Sequence, residues 1–347
     1  MREQMNLPVL QELRESMLAG KKHKLCAKCW DDEENGIKSF RKHLQFELED
    51  FDINKWQQQQ QVYSYQLYTS TLCNLKCRIC SEVSSSKWRF ENAKELDSTV
   101  NNAEKVWEVS CDQVFDEVLE NINYVKYLHL LGGEPLLNKR QNEFVKQIAN
   151  SNSAKNIHLK YVSNGTIDPA NFFSVWDNFK SVTVSLSIDD INERFEYQRH
   201  GSTWETAANN IKKLVNRQQN SKNFNIDVLI TVSIFNVYYL HETIATLTEL
   251  GVNNISVVTL LRPAEFNIKN LPLEVSEKVA HIYETNESLW PKHLIATNQS
   301  IKNILQNNTD SNILSDLNNR IRKIDFRRDE DFSKTHAEIA ALIGYTK

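Results

Sequence analysis

The sequence predicts an α/β domain built on a parallel sheet, and three observations carry that reading. Six runs rich in apolar and β-branched residues recur along the chain, each the length of one strand. Amphipathic stretches between them are long enough to be crossover helices, which join parallel neighbours. The polar residues with chemical potential fall at or just past the ends of these runs, where α/β enzymes gather their chemistry. Pattern alone leaves open whether the sheet stays open or curls into a barrel.

Composition limits the rest. Among 347 residues, 41 Lys and Arg face 45 Asp and Glu, and a net charge of -4 gives no general attraction to nucleic acid. A hydrophobic content of 40% is enough for a large core, and only 8 Gly and 6 Pro argue against extended disorder. Six cysteines, no secretory signal and no apolar run long enough to span a bilayer lead to the expectation of a reducing cytoplasm and no membrane.

Taken in order, the N-terminal stretch carries Cys26 and Cys29 as a CxxC, then Trp30, Glu33, Gly36, Ser39 and Arg41. Two thiolates on one turn suit half of a metal site and do not complete one. Lys21, Lys22 and Lys24 read as surface. Lys55, Trp56 and the glutamines 57–61 read as a linker. The first strand run, Val62 to Thr69, leads into a loop holding Cys73, Cys77 and Cys80. This CxxxCxxC spacing brings three thiolates into one small volume, which suits an iron-sulfur cluster whose fourth iron stays open. A structural zinc knot or three core cysteines compete with it, although zinc prefers four ligands and the loop offers no fourth Cys or His. Cys111, just before a helix starting near Asp112, reads as a buried apolar residue.

The second run, Val125 to Leu131, enters Gly132, Gly133, Glu134 and Pro135. Glycines let backbone approach a ligand closely, Glu134 can accept from an ammonium, and Pro135 fixes the turn; the plainer reading is an ordinary strand-to-helix turn. A helix over Asn138 to Ala149 precedes the third run, Ile157 to Ser163, which ends in Ser163, Asn164, Gly165 and Thr166, with Asn-Gly a common turn pair. The fourth run, Val182 to Ile188, carries Ser187 and reaches Asp189 and Asp190. Arg199 follows, its guanidinium fork suited to a carboxylate, with a plain surface arginine as the rival reading. Trp204 to Arg217 and Tyr238 to Leu250 read as helices around the fifth run, Ile226 to Phe235, which closes at Asn236. After the sixth run, Ile255 to Leu261, Pro263 and Pro272 flank an exit loop. The remainder is helical in period, broken at Trp290 and Pro291, with Asp325, Arg327, Arg328 and Asp329 read as a solvated helix face.

The segment Leu67 to Cys80, LYTSTLCNLKCRIC, resembles the cluster loop of the radical S-adenosylmethionine (radical SAM) enzymes, and Leu128 to Pro135, LHLLGGEP, resembles that family's glycine-rich motif. The resemblance implies a partial (β/α)6 TIM-like barrel over residues 61–265, preceded by a cysteine-containing extension and linker, 1–60, and followed by a helical region, 266–347. It implies that Cys73, Cys77 and Cys80 are catalytic and hold a [4Fe-4S] cluster. S-adenosylmethionine would chelate the fourth iron and be cleaved by one electron to a 5'-deoxyadenosyl radical, which takes hydrogen from a substrate. Gly132, Gly133, Glu134 and Pro135 are implied to bind the cofactor's amino end, Ser163 and Asn164 to form the cavity rim, and Ser187 and Asp189 to face the ribose. Arg199 is implied to pair with the carboxylate, and Asn236 to lie at the adenine. Two departures from the pattern are Ile79, where an aromatic residue is usual, and Asp190, where many members carry Gly.

The N-terminal stretch is similar to the cysteine region of twitch-domain radical SAM proteins, in which more cysteines lie upstream. The expectation is a start internal to a longer protein. A lost auxiliary cluster, with Cys26 and Cys29 as its remnants, is the competing account. The implied partners are S-adenosylmethionine, an external electron donor such as flavodoxin or ferredoxin, and a peptide or protein substrate, with a small metabolite or nucleoside second. A zinc- or cluster-binding module without turnover is the alternative from another class.

Overall fold

In the computed structural model the described residues are 6–34, 39, 41–42, 61–93, 112–307 and 314–347. Cys111, Gly36 and most of the expected linker lie outside them. The chain divides into two compact units, Met1–Gln61 and Val62–Lys347.

In the first unit, helices Pro8–Leu18 and Ala27–Glu34 are joined through a 3-10 turn, Lys24–Cys26. Pro8 opens the first helix, where a missing N–H costs nothing. The residues singled out around the CxxC form one knot. Glu33 accepts from Ser39 Oγ (2.5 Å) and from both Nε and Nη2 of Arg41 (3.1 and 2.5 Å), while the Arg41 guanidinium lies 4.4 Å from the Trp30 ring centroid. Cys26 and Cys29 are half-buried free thiols.

The second unit holds the sheet: β1 Ser64–Tyr68, β2 Tyr127–Leu131, β3 His158–Ser163, β4 Ser181–Ser187, β5 Phe224–Val232 and β6 Ile255–Thr259. Every neighbouring pair is parallel and the spatial order is the chain order, so β1 and β6 are edges and the barrel is partial. All six expected runs are strands. The fifth ends three residues early because Asn236 Oδ1 accepts the Ser233 N–H (2.8 Å), turning the chain out of the ladder.

Crossover helices Lys139–Ala149, Trp204–Gln219 and Leu240–Glu249 cover one face. Asn138 and Thr203 cap the first two by accepting from the N–H of Gln141 and Thr206. Phe144, Ile148, Ile211, Leu214, Ile244 and Leu247 bury their helix faces with Leu128, Leu130, Val184, Leu186, Val228 and Ile230 of the strands; each such side chain contributes about 1.5–3 kcal/mol on leaving water. The other face differs from the all-round burial usual for parallel strands. Its residues alternate toward polar ones, and the pairing register aligns Gln66, His129, Lys160, Thr183 and Asn225 in one row across five strands.

Beyond β6 come helices Leu273–Thr285, Ile295–Gln306, Leu314–Arg328, Phe332–Thr335 and Ala337–Leu342, with the expected break at Trp290 and Pro291. The expected solvated face over 325–329 holds only in part: Asp329 is exposed and Arg327 half-buried, but Asp325 is 0% exposed and bound to Arg78, and Arg328 packs over Trp88. Sequence period places residues on a helix face and does not say what that face meets. Among the described residues, no helix is long and apolar enough to cross a membrane.

Candidate active site

The cysteine loop leaves β1 and is stitched into the C-terminal ends of the neighbouring strands. Gly133 N–H donates to Ser70 O (2.8 Å) and Glu134 N–H to Leu72 O (2.8 Å), so the glycine turn after β2 lies directly against the loop. That contact explains both glycines. A Cβ on Gly132 would stand 2.6 Å from Ser70 O, and one on Gly133 would stand 2.4 Å from Leu72 O; Gly132 also has φ +149°, which favours glycine. The backbone that comes close here is the cysteine loop's own. On the loop's far side, Lys76 and Arg78 N–H donate to the carbonyls of His200 and Gln198 (2.8 Å each). Trp88 Nε1 donates to Cys77 O (2.7 Å), and Ser85 Oγ to Leu75 O (2.6 Å).

Cys73 is buried, and Cys77 and Cys80 are half-buried. Burial pushes all three thiols up, Cys77 and Cys80 to about 11, and each is raised further by the charge of a neighbouring cysteine of the trio. All three sit on the one loop between β1 and helix Ser86–Ala93. Donors already face the sulfurs: Leu75 N–H (3.4 Å) and Asn164 Nδ2 (3.8 Å) at Cys73, and Arg199 Nη1 (3.9 Å) at Cys77. Such donors favour the thiolate, the form that binds metal. Among the described residues, no three His, Cys, Asp or Glu side chains form a site for one metal ion. A four-iron cluster asks something different, since each thiolate binds a separate iron. The donor set fits that group.

Around the loop, the other expected residues converge, with partners of their own. Glu134 is 1% exposed and accepts from Asn164 N–H (2.7 Å), Ser163 Oγ (3.0 Å) and Leu136 N–H (3.1 Å). Burial raises its carboxyl to about 7, against the pull of those donors. Pro135 starts the 3-10 turn that follows. Asn164 Nδ2 also donates to Asn74 Oδ1 (2.9 Å), and Asn74 Nδ2 to Thr166 Oγ1 (2.8 Å), tying the turn after β3 to the residue beside Cys73.

Ser187 ends β4 half-buried. Asp189, 1% exposed, accepts from Thr231 N–H (2.9 Å) and from Arg199 Nη2 (2.6 Å). Arg199 is buried rather than a surface arginine, and its Nε holds no hydrogen-bond partner. Asn236 is turned inward: Nδ2 donates to the carbonyls of Asp189 and Thr231 (2.8 and 2.9 Å), and the side chain is 0% exposed. Asp190 anchors helix Asn192–Gln198 through Ile191 N–H, Arg194 and Gln198. Sequence reasoning missed Asn74, Trp88 and Arg78. The first and last sit beside cysteines, a signal that was available; Trp88 shows only as an aromatic residue soon after the loop.

Compared with known proteins, the chain matches the family described as the Radical SAM superfamily over residues 67–250, more than half its length. It is similar to the radical SAM cyclopropyl synthase TigE of Paramaledivibacter caminithermalis, 24% identical over 253 residues, which cover 72% of this chain and 51% of that protein. The chain thus spans about half the length of this curated relative. Among solved structures it is similar to anSMEcpe with bound AdoMet, at 18% identity and TM-score 0.42 over 62% of this chain and 57% of that one. It is also similar to Streptococcus suis SuiB bound to S-adenosylmethionine, at 14% identity and TM-score 0.38 over 67% and 47% of the two chains.

Proposed function

This chain belongs to the radical SAM superfamily, which uses a [4Fe-4S] cluster and S-adenosylmethionine, and from that premise we propose that it cleaves S-adenosylmethionine and abstracts hydrogen from a peptide or protein. The observation that carries this reading is the trio Cys73, Cys77 and Cys80 on one loop, with N–H donors facing the sulfurs of Cys73 and Cys77. Held by Cys73, Cys77 and Cys80, a cluster would supply the one electron that breaks a C–S bond of S-adenosylmethionine, leaving methionine and a 5'-deoxyadenosyl radical able to take a substrate hydrogen. The protein's own residues bind and orient. Backbone carbonyls of the turn at Gly132 and Gly133, with the Glu134 carboxylate, suit an ammonium. Arg199, whose Nε has no partner, suits a carboxylate. Ser187 and Asp189 at the end of β4 suit ribose hydroxyls.

The polar row Gln66, His129, Lys160, Thr183 and Asn225 supports a polar substrate, and the open edges at β1 and β6 leave room for an extended one such as a peptide. We read the first unit as a twitch-like segment, and the electron donor as a small external redox protein such as flavodoxin or ferredoxin. The test is anaerobic reconstitution followed by incubation with dithionite, S-adenosylmethionine and peptides encoded beside the gene. Brown protein that forms 5'-deoxyadenosine and changes a peptide's mass supports the proposal. Deoxyadenosine formed with a small metabolite and never with a peptide moves the substrate class, and colourless protein holding stoichiometric zinc makes the chain a binding module.

A further inference from the structure

The residue directly after the second cysteine is an arginine with no solvent exposure. Arg78 is 0% exposed, its Nε donates to Tyr197 O (3.0 Å), and its guanidinium lies 3.4 Å from the Tyr197 ring centroid. Its Nη2 donates to Asp325 Oδ1 (2.6 Å) and to Glu330. Both carboxylates come from the C-terminal helical region, some 247 and 252 positions away in sequence. Asp325 is itself fixed by three more donors: Tyr197 OH (2.8 Å), Phe332 N–H (2.8 Å) and Tyr345 OH (2.9 Å). Glu330 also faces His200 Nδ1 (2.6 Å), next to the arginine that contacts Cys77. Two residues before Glu330, Arg328 Nη1 donates to Lys76 O (3.0 Å), and its guanidinium lies 4.6 Å from the Trp88 ring centroid, the ring whose Nε1 holds Cys77 O. Glu91 binds both Arg328 and Lys76.

Residues 76, 77 and 78 are thus each gripped, directly or through one side chain, by Asp325, Arg328 and Glu330. Burying an arginine and an aspartate in a loop that an apolar pair could fill costs desolvation, and a buried ion pair is weak evidence for added stability. Its geometry, in contrast, is stiff: the planar group is held at Nε by a carbonyl and at Nη2 by two carboxylates, with only Nη1 unpaired, and so has one orientation. Resting on the cluster reading above, we propose that Asp325, Arg328 and Glu330 are positioning residues that hold the Cys77–Cys80 stretch in register for the cluster, which makes the C-terminal helical region part of that site.

The test compares Asp325→Asn, Glu330→Gln and Tyr345→Phe with the wild type. Glu330 is partly exposed, so its variant keeps the test alive should Asp325→Asn not fold. Tyr345→Phe removes a hydrogen bond from the same carboxylate without touching Arg78. Three readouts are taken: melting temperature, the rate of iron release from the reconstituted cluster to a chelator, and amide exchange of residues 74–80 in the cluster-free chain. Asp325→Asn and Glu330→Gln are expected to release iron about tenfold faster, the scale seen when groups supporting metal ligands are removed, and to raise exchange in the loop. Tyr345→Phe is expected to lower the melting temperature and to change both loop readouts much less than Asp325→Asn, because Tyr197 OH and Phe332 N–H still fix the carboxylate. Wild-type iron release and exchange in Glu330→Gln would overturn the inference, as would equal acceleration by Tyr345→Phe, which would reduce the clamp to ordinary stability. A wild type that takes up no cluster would instead overturn the functional reading beneath it.

Discussion

At the scale of single residues, the Arg199–Asp189 pair is the clearest case of a partner that spacing could not name. Both residues are recognisable from their places after the fourth strand, yet the contact between them is a property of the folded chain, with Nη2 and Oδ2 2.6 Å apart and both side chains buried. Removing one partner leaves an uncompensated buried charge. Arg199→Met is expected to cost about 3–5 kcal/mol in urea unfolding of the cluster-free protein, and adding Asp189→Asn should return part of that loss; strictly additive losses would show that the two do not interact. His336 gives a prediction in pH. It is 0% exposed and packed against Tyr197, Phe235 and Phe332, and burial, with the charges of Arg194 and Arg78, holds its pKa well below 6.5. Because the unfolded histidine binds its proton first, the stabilising contribution is complete above about pH 6.5 and is lost as pH falls below it. Wild-type stability should therefore drop between pH 7.5 and 5.5 by up to about 1.4 kcal/mol per unit more than that of His336→Gln. Parallel pH profiles for the two proteins would contradict the assignment.

At the scale of elements, the six strands and three crossover helices were legible because β-branched runs and 3.6-residue periodicity are local properties. Strand ends were less so: β5 stops where Asn236 caps Ser233, a side-chain event that hydrophobicity does not record. The glycine turn was legible as a site, and the fold adds a cause for its glycines that the sequence did not show, the close approach of the cysteine loop. That packing is testable. Gly344 has φ +65° with nothing within 4 Å of an added Cβ, so Gly344→Ala should cost only the backbone term, about 1–2 kcal/mol. Gly133→Ala must push back Leu72 O and Thr71 O, at 2.4 and 2.7 Å, and should cost more in urea unfolding and also displace the loop. Equal losses at the two positions would argue against the packed turn.

At the scale of the whole molecule, the C-terminal helices were expected to be a flanking layer with a charged, wet face. They bind the back of the cysteine loop instead, through Asp325, Arg328 and Glu330, and no local pattern could reveal a pairing across 247 positions. The polar sheet face is legible in hindsight from the alternation in His158–Ser163 and Phe224–Val232, and it carries Lys160 near Asp227 at 3.5 Å. If that face receives the substrate, Lys160→Met should lower substrate conversion about tenfold while deoxyadenosine formed without substrate stays unchanged; loss of both would place Lys160 in service of the cofactor. The most direct test of the whole account is electron paramagnetic resonance of the anaerobically reconstituted, dithionite-reduced protein, recorded before and after adding S-adenosylmethionine. A reduced [4Fe-4S] signal that changes when S-adenosylmethionine is added and disappears in a Cys77→Ala variant is expected; no such signal in the wild type, or one indifferent to S-adenosylmethionine, would contradict the assignment of the cysteine loop.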